Sequence, residues 1–411
     1  MLPLDSTTHR RVTTALDETT RRRAERGGEA FEAMAMPIEK DEGWRYVDLE
    51  LDLAGFGITE TPGARLPVSE IEAALSGGAG RAVSVDGHTV EAAGGGSRIE
   101  IAALRDRPIE FGWGGPADRL DALHDAFSFD GVVVAAPKGA TGTVVVDLQA
   151  VTPGVVSLPR ILLSADEGAA LSVVAVQRSP DGVVSLVIPS FEVMAGASAR
   201  IDLTIVQEWG NETMAVARHR MRADRDAHLG LAEAGFGGAF SRLHLSVDLV
   251  GSGAGATING AYFGDGGQTL DYRYFIRHAA LSTTSQMFLK GAVADEARSV
   301  FSGLIRIEKE GQKSNAHQTN RNLVLSDGAE AHSVPNLEIL ADDVRCGHGS
   351  AVGPLDEEQR YYLMSRGLDP ERADRLQVKG FFEEALVRFP HRSLDLLLRE
   401  IAMAKYAAVA S

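Results

Sequence analysis

Short runs of alternating apolar and polar residues dominate the chain from about residue 130 to residue 353. Examples are GTVVVDLQA at 142–150 and SRLHLSVDLVGSGAGATINGAYF at 241–263. Alternation with a period of two, rich in valine, isoleucine and leucine, predicts strands that bury one face. Strong helix signals are missing across this span, which excludes a regular alternation of strands and helices.

Small-residue turns separate these runs at a nearly constant spacing of roughly thirty residues, a period typical of repeat folds. The turns are DEGAA at 166–170, AGASA at 195–199, RDAHL at 225–229 and GSGAGA at 251–256. Two all-β folds fit this pattern of strands and turns: one is a sandwich or jelly roll, and the other is a β-solenoid. In a solenoid each coil hydrogen-bonds to the next, so that only the end coils present unpaired edges. The pattern predicts a mainly β protein with a core over residues 126–353.

Helical signals flank this core on both sides. Helix formers run through residues 8–34 and are predicted to stop at Gly27-Gly28, with Pro37 as a further stop. Residues 1–125 are therefore expected to form a helical and mixed N-terminal region. Nothing specific is predicted for residues 61–120.

Residues 354–411 are predicted to form a helical C-terminal domain. Asp356 is placed to cap a first helix that ends at Gly367, and Asp369-Pro370 begins a second helix that Pro390 stops. A third helix, SLDLLLREIAMAKYAAV, is apolar around much of its circumference. Three such helices cannot bury all of this surface on themselves. They need the end of the solenoid, a partner protein, or both.

The composition mainly excludes certain functions and locations. The formal net charge is −16, from 57 acidic and 41 basic residues, which argues against binding to nucleic-acid phosphates. No run of about 18 apolar residues and no signal-peptide pattern is found, so no membrane segment and no secretion are expected. The single cysteine cannot form an internal disulfide, which favours a reducing, cytoplasmic compartment.

That cysteine, Cys346, stands two positions before His348 in DDVRCGHGSAVG. On a strand, residues i and i+2 point to the same face, so the thiol and the imidazole would project side by side. Such donors suit iron and other soft or borderline metals, and a protonated imidazole nearby would lower the pKa of the thiol. Two ligands do not complete a site, so binding would be transient or shared with another chain. The alternative is a small buried cysteine beside an incidental histidine.

Other polar residues are candidates with plainer explanations. The stretch QKSNAHQTNRNLVLS at 312–326 is dense in polar side chains, for which turn chemistry at solenoid corners is the simpler interpretation. His278 is expected to be a satisfied core or rim histidine. The glycines at 235–238 and 264–267 lack the spacing of a phosphate-binding loop, so no ATP site is expected in this chain. No serine, histidine and aspartate arrangement of a hydrolase stands out.

Around Cys346 the sequence resembles a known family. Residues 335–386, which contain RCGHG, YYLMSRGL and ADRLQVKGFF, resemble the C-terminal signature of the SufB/SufD family of iron–sulfur cluster assembly proteins. Further similar stretches are ALHDAFSFDGVVVAAPKG at 122–139, FSGLIRIEKEGQKSNAHQTNRNLVLS at 301–326 and EKDEGWRYVDL at 39–49. The His-Gly pair at 348–349 and the modest length resemble SufD more than SufB.

The resemblance implies a right-handed parallel β-helix flanked by helical regions. It implies a non-enzymatic scaffold subunit that pairs with a SufB-like subunit and binds a SufC-like ATPase through its C-terminal helices. Cys346 and His348 then correspond to positions at the subunit interface, as ligands of transient iron or of an iron–sulfur cluster shared with the SufB-like partner. The alternatives are a secreted-type β-helix enzyme acting on polysaccharide, and a SufD-like homodimer with a structural role.

Overall fold

The chain folds into a parallel β-solenoid of about eight turns, with helices at both ends of the sequence. The structure is a computed structural model and describes residues 1–75, 79–95 and 98–410. Strands in successive coils pair in parallel, so the solenoid interpretation is confirmed and the antiparallel sandwich is wrong.

The described residues form seven α-helices and three short 3₁₀ turns, at Glu42–Trp44, Leu53–Gly55 and Arg392–Leu394. The α-helices are α1 (Ser6–Thr13), α2 (Glu18–Ala33), α3 (Glu70–Leu75), α4 (Arg119–Phe127), α5 (Glu357–Ser365), α6 (Pro370–Leu386) and α7 (Asp395–Val409). The strands before the regular coils are β1 (Leu2–Pro3), β2 (Gly57–Ile58), β3 (Gly80–Val85), β4 (His88–Ala93) and β5 (Glu100–Ala103).

The strands of the coils follow in chain order. They are β6 (Gly131–Ala136), β7 (Thr141–Gln149), β8 (Val156–Ser157), β9 (Arg160–Ala165), β10 (Ala170–Arg178), β11 (Ser185–Val187), β12 (Ser190–Ala195), β13 (Arg200–Glu208), β14 (Thr213–Ala223), β15 (His228–Gly235), β16 (Phe240–Leu249), β17 (Gly255–Gly264), β18 (Thr269–His278), β19 (Thr284–Val293), β20 (Arg298–Ile307), β21 (Asn315–Val324), β22 (Glu330–Ile339) and β23 (Arg345–Gly353).

Two facing sheets make up the walls of the solenoid. The first sheet has the order β23-β21-β19-β17-β15-β13-β10-β7-β3-β4, and the second has the order β22-β20-β18-β16-β14-β12-β9-β6-β5. Within the first sheet Ala170 pairs with Arg200 and Thr284 pairs with Asn315, so one coil takes about thirty residues. β3 joins the parallel stack beside β7, whereas β4 and β5 close the two sheets with antiparallel pairs.

The turns between strands lie where small residues recur in the sequence. Gly168, Ser198, Asp226 and Gly253 occupy equivalent turns and all have positive φ. Only glycine adopts this left-handed conformation freely, and short polar residues are the next best choice. The thirty-residue spacing of these residues is therefore the local chemical cause of the coil length.

The interior between the sheets is filled by one alternate set of side chains from every strand, mainly valine, leucine, isoleucine and alanine. Polar side chains also stand in this interior. Glu233 on β15 lies between Ile205 and Gly260 in neighbouring coils and is almost completely buried. The Tyr274 hydroxyl donates a hydrogen bond to it at 3.4 Å, and burial raises the pKa of Glu233 to about 8.

The N-terminal helices cover the outer face of the second sheet, where Phe31, Trp44 and Leu123 pack on strand residues such as Val216. Helix α2 runs straight through Gly27-Gly28, so the predicted stop there is wrong. A Cβ on Gly27 would lie 2.4 Å from the backbone nitrogen of Ala126 in α4. Glycine at this position allows two helices to approach closely rather than ending one of them.

The C-terminal helices pack on the outer face of the first sheet. Phe382 of α6 and Leu398 of α7 are buried against strand residues such as Phe263. The wall of the solenoid, rather than its end, covers part of the apolar circumference of these helices, and the expectation of a partner for the rest stays a prediction. The caps follow the prediction: Asp356 accepts from the backbone of α5, and Gly367 ends that helix with φ +94°.

Candidate functional site

Strand β23 carries Cys346 and His348 and is the last strand of the first sheet. In its register with β21, Cys346 stands beside Ala316 and His348 beside Gln318. The side chains of Ala316 and Gln318 are buried in the solenoid interior, on the inner face of β21. Cys346 and His348 therefore lie on the same inner face one coil further along, which confirms that they share one face of a strand.

The two side chains differ in exposure. Cys346 is half-buried and packs against the interior apolar cluster, whereas His348 is exposed. Burial raises the pKa of the Cys346 thiol, and a hydrogen bond from the backbone of Gly347 opposes this only in part. The lowering of this pKa by a protonated imidazole nearby stays a prediction, since burial is the dominant influence on the thiol in the structure. The thiol is held neutral at neutral pH until something, such as a bound metal ion, favours the thiolate.

The final coil leaves this end of the solenoid open. β22 and β23 are the terminal strands of their sheets, so each has one edge without a neighbouring strand among the described residues. Ile339, Leu340 and Val352 on this coil are large apolar residues with about two fifths or more of their surface exposed. Unpaired strand edges beside exposed apolar side chains form a surface on which another chain can pair.

A chain of hydrogen bonds leads from this open end into the interior. The Ser350 hydroxyl donates to Ser333 at 2.8 Å, and Ser333 donates to the side-chain oxygen of Asn320 at 2.7 Å. Asn322 donates to that same oxygen at 2.7 Å, and Tyr262 donates to Asn322 at 2.5 Å. The coils nearest the open end therefore have polar interiors.

The sequence pattern held a signal for these interior residues that the turn interpretation missed. Gln318, Asn320 and Asn322 occupy alternate positions of β21 and are all buried, where corner residues were expected. His317 and Arg321 alternate with them on the outer face and are exposed. Polar residues at every second position of a strand indicate a polar inner face, not a turn.

Two other candidate residues, Lys313 and His278, have structural roles in the solenoid. Lys313 lies in a turn with φ +61°. His278 is fully buried, with its ring nitrogens 2.8 Å from the hydroxyls of Thr283 and Ser285. The prediction that His278 is a satisfied core histidine is confirmed.

The donor atoms at the open end fit iron only as part of a ligand set. A thiolate sulfur and an imidazole nitrogen are donors that iron accepts in proteins. In the parts of the chain that the structure covers, no group of three or more His, Cys, Asp and Glu residues is placed to hold a metal ion. Cys346 and His348 can thus supply two ligands at an exposed surface, where further ligands can arrive from outside.

The C-terminal helices present a second exposed surface. Tyr361 and Tyr362 of α5 are 76% and 56% exposed, and Leu376 of α6 is 46% exposed. A cleft of about 530 Å³ lies between this helix pair and the first sheet, with Lys290 and Arg321 among its lining residues. None of the helices over the described residues is long and apolar enough to cross a membrane.

Comparison with known proteins relates this architecture to iron–sulfur cluster assembly. A family model described as SUF system FeS cluster assembly, SufBD core domain, matches residues 125–381. SufD of Escherichia coli is 28% identical over 363 residues, which cover 85% of this chain and 84% of that protein. SufD of Bacillus subtilis is 36% identical over 145 residues, 35% of this chain and 33% of that protein.

An iron–sulfur cluster assembly SufBD family protein of Mycobacterium tuberculosis is 36% identical over 205 residues, 48% of this chain and 52% of that protein. This chain spans about half the length of the mycobacterial relatives it matches. The family match covers more than half of this chain and includes the coil strands from β6 to β23 and most of α6. The chain belongs to the SufBD core family of the SUF iron–sulfur cluster assembly system and is SufD-like within it.

Proposed function

We propose that the chain is a non-enzymatic scaffold subunit on which an iron–sulfur cluster is assembled together with a SufB-like subunit and a SufC-like ATPase. The observation that carries the proposal is the position of Cys346 and His348. They lie side by side on the inner face of the last, open coil of the solenoid.

Pairing with the SufB-like subunit uses the open end. The free edges of β22 and β23 supply backbone donors and acceptors, and Ile339, Leu340 and Val352 supply apolar area. A partner that pairs there is brought within reach of His348. The ligands that this chain lacks are then contributed by the partner, and the cluster is cargo that passes on to other proteins.

His348 is the stronger ligand candidate and Cys346 the weaker one. His348 is exposed and needs no rearrangement to bind iron, whereas the half-buried Cys346 must lose its proton from a site that raises its pKa. Metal binding to a thiol requires the thiolate, so iron must displace the proton.

The C-terminal helices bind the SufC-like ATPase. Tyr361, Tyr362 and Leu376 remain exposed after α6 and α7 have packed on the solenoid. Aromatic and large apolar side chains of this kind are enriched in protein interfaces. The ATP site belongs to that partner, and the scaffold keeps the cytoplasmic location expected from its single cysteine.

The polysaccharide-acting alternative is not favoured. An enzyme of that class needs charged residues on an accessible face of the solenoid. Accessible charged residues do occur on the second sheet, so the preference rests instead on the family match and on the SufD relatives. A homodimer formed through the open end remains the other candidate, since the same edges can pair with a second copy.

The proposal is tested by the iron and cluster content of the complex co-expressed with its SufB-like and SufC-like partners, measured by visible absorbance and iron analysis. We expect His348→Ala to lower cluster content sharply, and to change the free energy of unfolding by less than about 0.5 kcal/mol because the side chain is exposed. Cys346→Ser keeps the size but replaces a soft donor, and we expect a smaller loss.

His317→Ala is the matched control, because His317 is also exposed but faces outward from the adjacent strand. It should leave cluster content unchanged. Wild-type cluster content in the His348→Ala complex would refute the ligand role. Recovery of this chain only as a homodimer that excludes the SufB-like subunit would favour the structural alternative.

A further inference from the structure

A small cavity separates the N-terminal helices from the outer face of the second sheet. Its volume is about 160 Å³, room for about five water molecules. Four guanidinium groups line it, from Arg23 and Arg26 of α2, Arg160 of β9 and Arg220 of β14. We call it the arginine cavity. It lies on the opposite wall of the solenoid from the C-terminal helices and is separate from the open end.

Three carboxylates also line the arginine cavity, but they are already engaged. Glu110 pairs with Arg26, while Asp125 and Glu192 both pair with Arg160. Arg220 pairs with Asp121 at 2.7 Å. Of the four guanidinium groups, Arg23 is the one that forms no ion pair among the described residues.

Within the described ranges, Arg23 is a buried cation without a direct ion pair, and the nearby carboxylates of Asp125, Glu192 and Glu110 act on it only from beyond ion-pair distance. Its side chain is 3% exposed, and its guanidinium donates to the backbone carbonyl of Ser128. Among the residues that the structure describes, no carboxylate lies within ion-pair distance of Arg23. Burial and the neighbouring Arg160 lower the pKa of Arg23 to about 9, so the group is still charged at neutral pH. A buried guanidinium without a direct partner is unfavourable, so an oxyanion that contacts Arg23 is stabilising.

Two N–H groups at the cavity lack acceptors. In the described part of the chain, the Nε atoms of Arg23 and Arg160 are buried and have no hydrogen-bond partner. Both residues are at least nine-tenths buried, and both line the cavity. Guanidinium groups bind oxyanions through charge-assisted hydrogen bonds. The two unused donors and the lack of a direct ion pair at Arg23 among the described residues therefore point to the same kind of ligand.

We propose that the arginine cavity binds one small tetrahedral oxyanion of the phosphate or sulfate class, held by Arg23 and Arg160. The cavity is well below the 300–1,000 Å³ of pockets that hold drug-sized ligands, so a free inorganic anion fits and a nucleotide does not. The bound anion joins α2 to strand β9 and so connects the N-terminal helices to the solenoid.

The test is isothermal titration calorimetry of the full chain with inorganic phosphate, at an ionic strength held constant with potassium chloride. We expect one site per chain. Arg23→Gln should weaken phosphate binding at least about tenfold, because a charge-assisted hydrogen bond is lost. Arg22→Gln is the matched control, because Arg22 is the next residue of α2 but is 68% exposed and pairs with Glu18. Its phosphate affinity should equal that of the wild type.

Glu110→Gln should change the phosphate affinity in the opposite direction. This second test does not require the Arg23→Gln variant to fold. It removes a negative charge from the cavity wall, and phosphate should bind more tightly. Sulfate should compete with phosphate, whereas adenosine monophosphate should not. The proposal is overturned if phosphate gives no binding heat, if Glu110→Gln leaves its affinity unchanged, or if adenosine monophosphate binds as tightly as free phosphate.

Discussion

The buried carboxyl of Glu233 should make the stability of the solenoid depend on pH. Burial raises the pKa of Glu233 to about 8, whereas an unfolded chain gives a glutamate a pKa of about 4.3. Between these two pH values the folded state holds a proton that the unfolded state has released. The free energy of unfolding therefore falls as pH rises, by about 1.4 kcal/mol per pH unit. This stability is fully present below about pH 4 and is lost as pH rises through 8.

The substitution Glu233→Gln removes this dependence, because the amide keeps the shape and stays neutral at every pH. From the distance between the two pKa values, we expect it to raise the free energy of unfolding by about 3–4 kcal/mol at pH 7 and by about 1 kcal/mol at pH 5. The groups that face Glu233 across the interior include Tyr272 and Tyr274, whose own pKa values burial raises well above the usual range. They stay neutral over this pH range and do not add to the pH dependence of the free energy of unfolding.

The assay is denaturant unfolding of wild type and variant at both pH values, followed by circular dichroism. Glu310→Gln serves as the control, since Glu310 is an exposed glutamate that forms no ion pair among the described residues and should change neither value. A variant that is equally stabilised, or equally destabilised, at pH 5 and pH 7 would refute the reasoning, because the effect would then come from packing and not from the proton.

Three further predictions concern the helices. Tyr361→Asp should weaken binding of the SufC-like ATPase in a pull-down without changing the melting temperature, because Tyr361 is 76% exposed; wild-type binding would contradict the docking role. Phe382→Ala should lower the free energy of unfolding by about 3–5 kcal/mol in chemical denaturation, since Phe382 is buried between α6 and the first sheet; the half-buried Phe381→Ala should cost less. Gly27→Ala should destabilise the protein, because its Cβ would clash with the backbone of α4. Gly380→Ala in α6 has open space around it and should stabilise the protein by about 0.5–1 kcal/mol. A thermal melt that ranks the two variants in the other order would contradict the close-approach explanation for Gly27.

Several features of the protein were determined by local sequence chemistry. The coil length follows from turn residues such as Gly168, Asp226 and Gly253, which tolerate positive φ at a thirty-residue spacing. The strand placement of Cys346 and His348 follows from alternation, and the caps of α5 follow from Asp356 and Gly367. Each of these depends on a residue and its near neighbours along the chain.

Other features were decided only by contacts between distant segments. Gly27 was predicted to end a helix, but it permits the close approach of α4, which lies about a hundred residues away. Packing against the interior raises the pKa of Cys346, an influence that the neighbouring residues along the chain did not indicate. The arginine cavity combines residues of α2, β9, β12 and β14, whose proximity no local pattern encodes. Burial and charge balance are properties of the assembled interior, so these features depended on the tertiary structure.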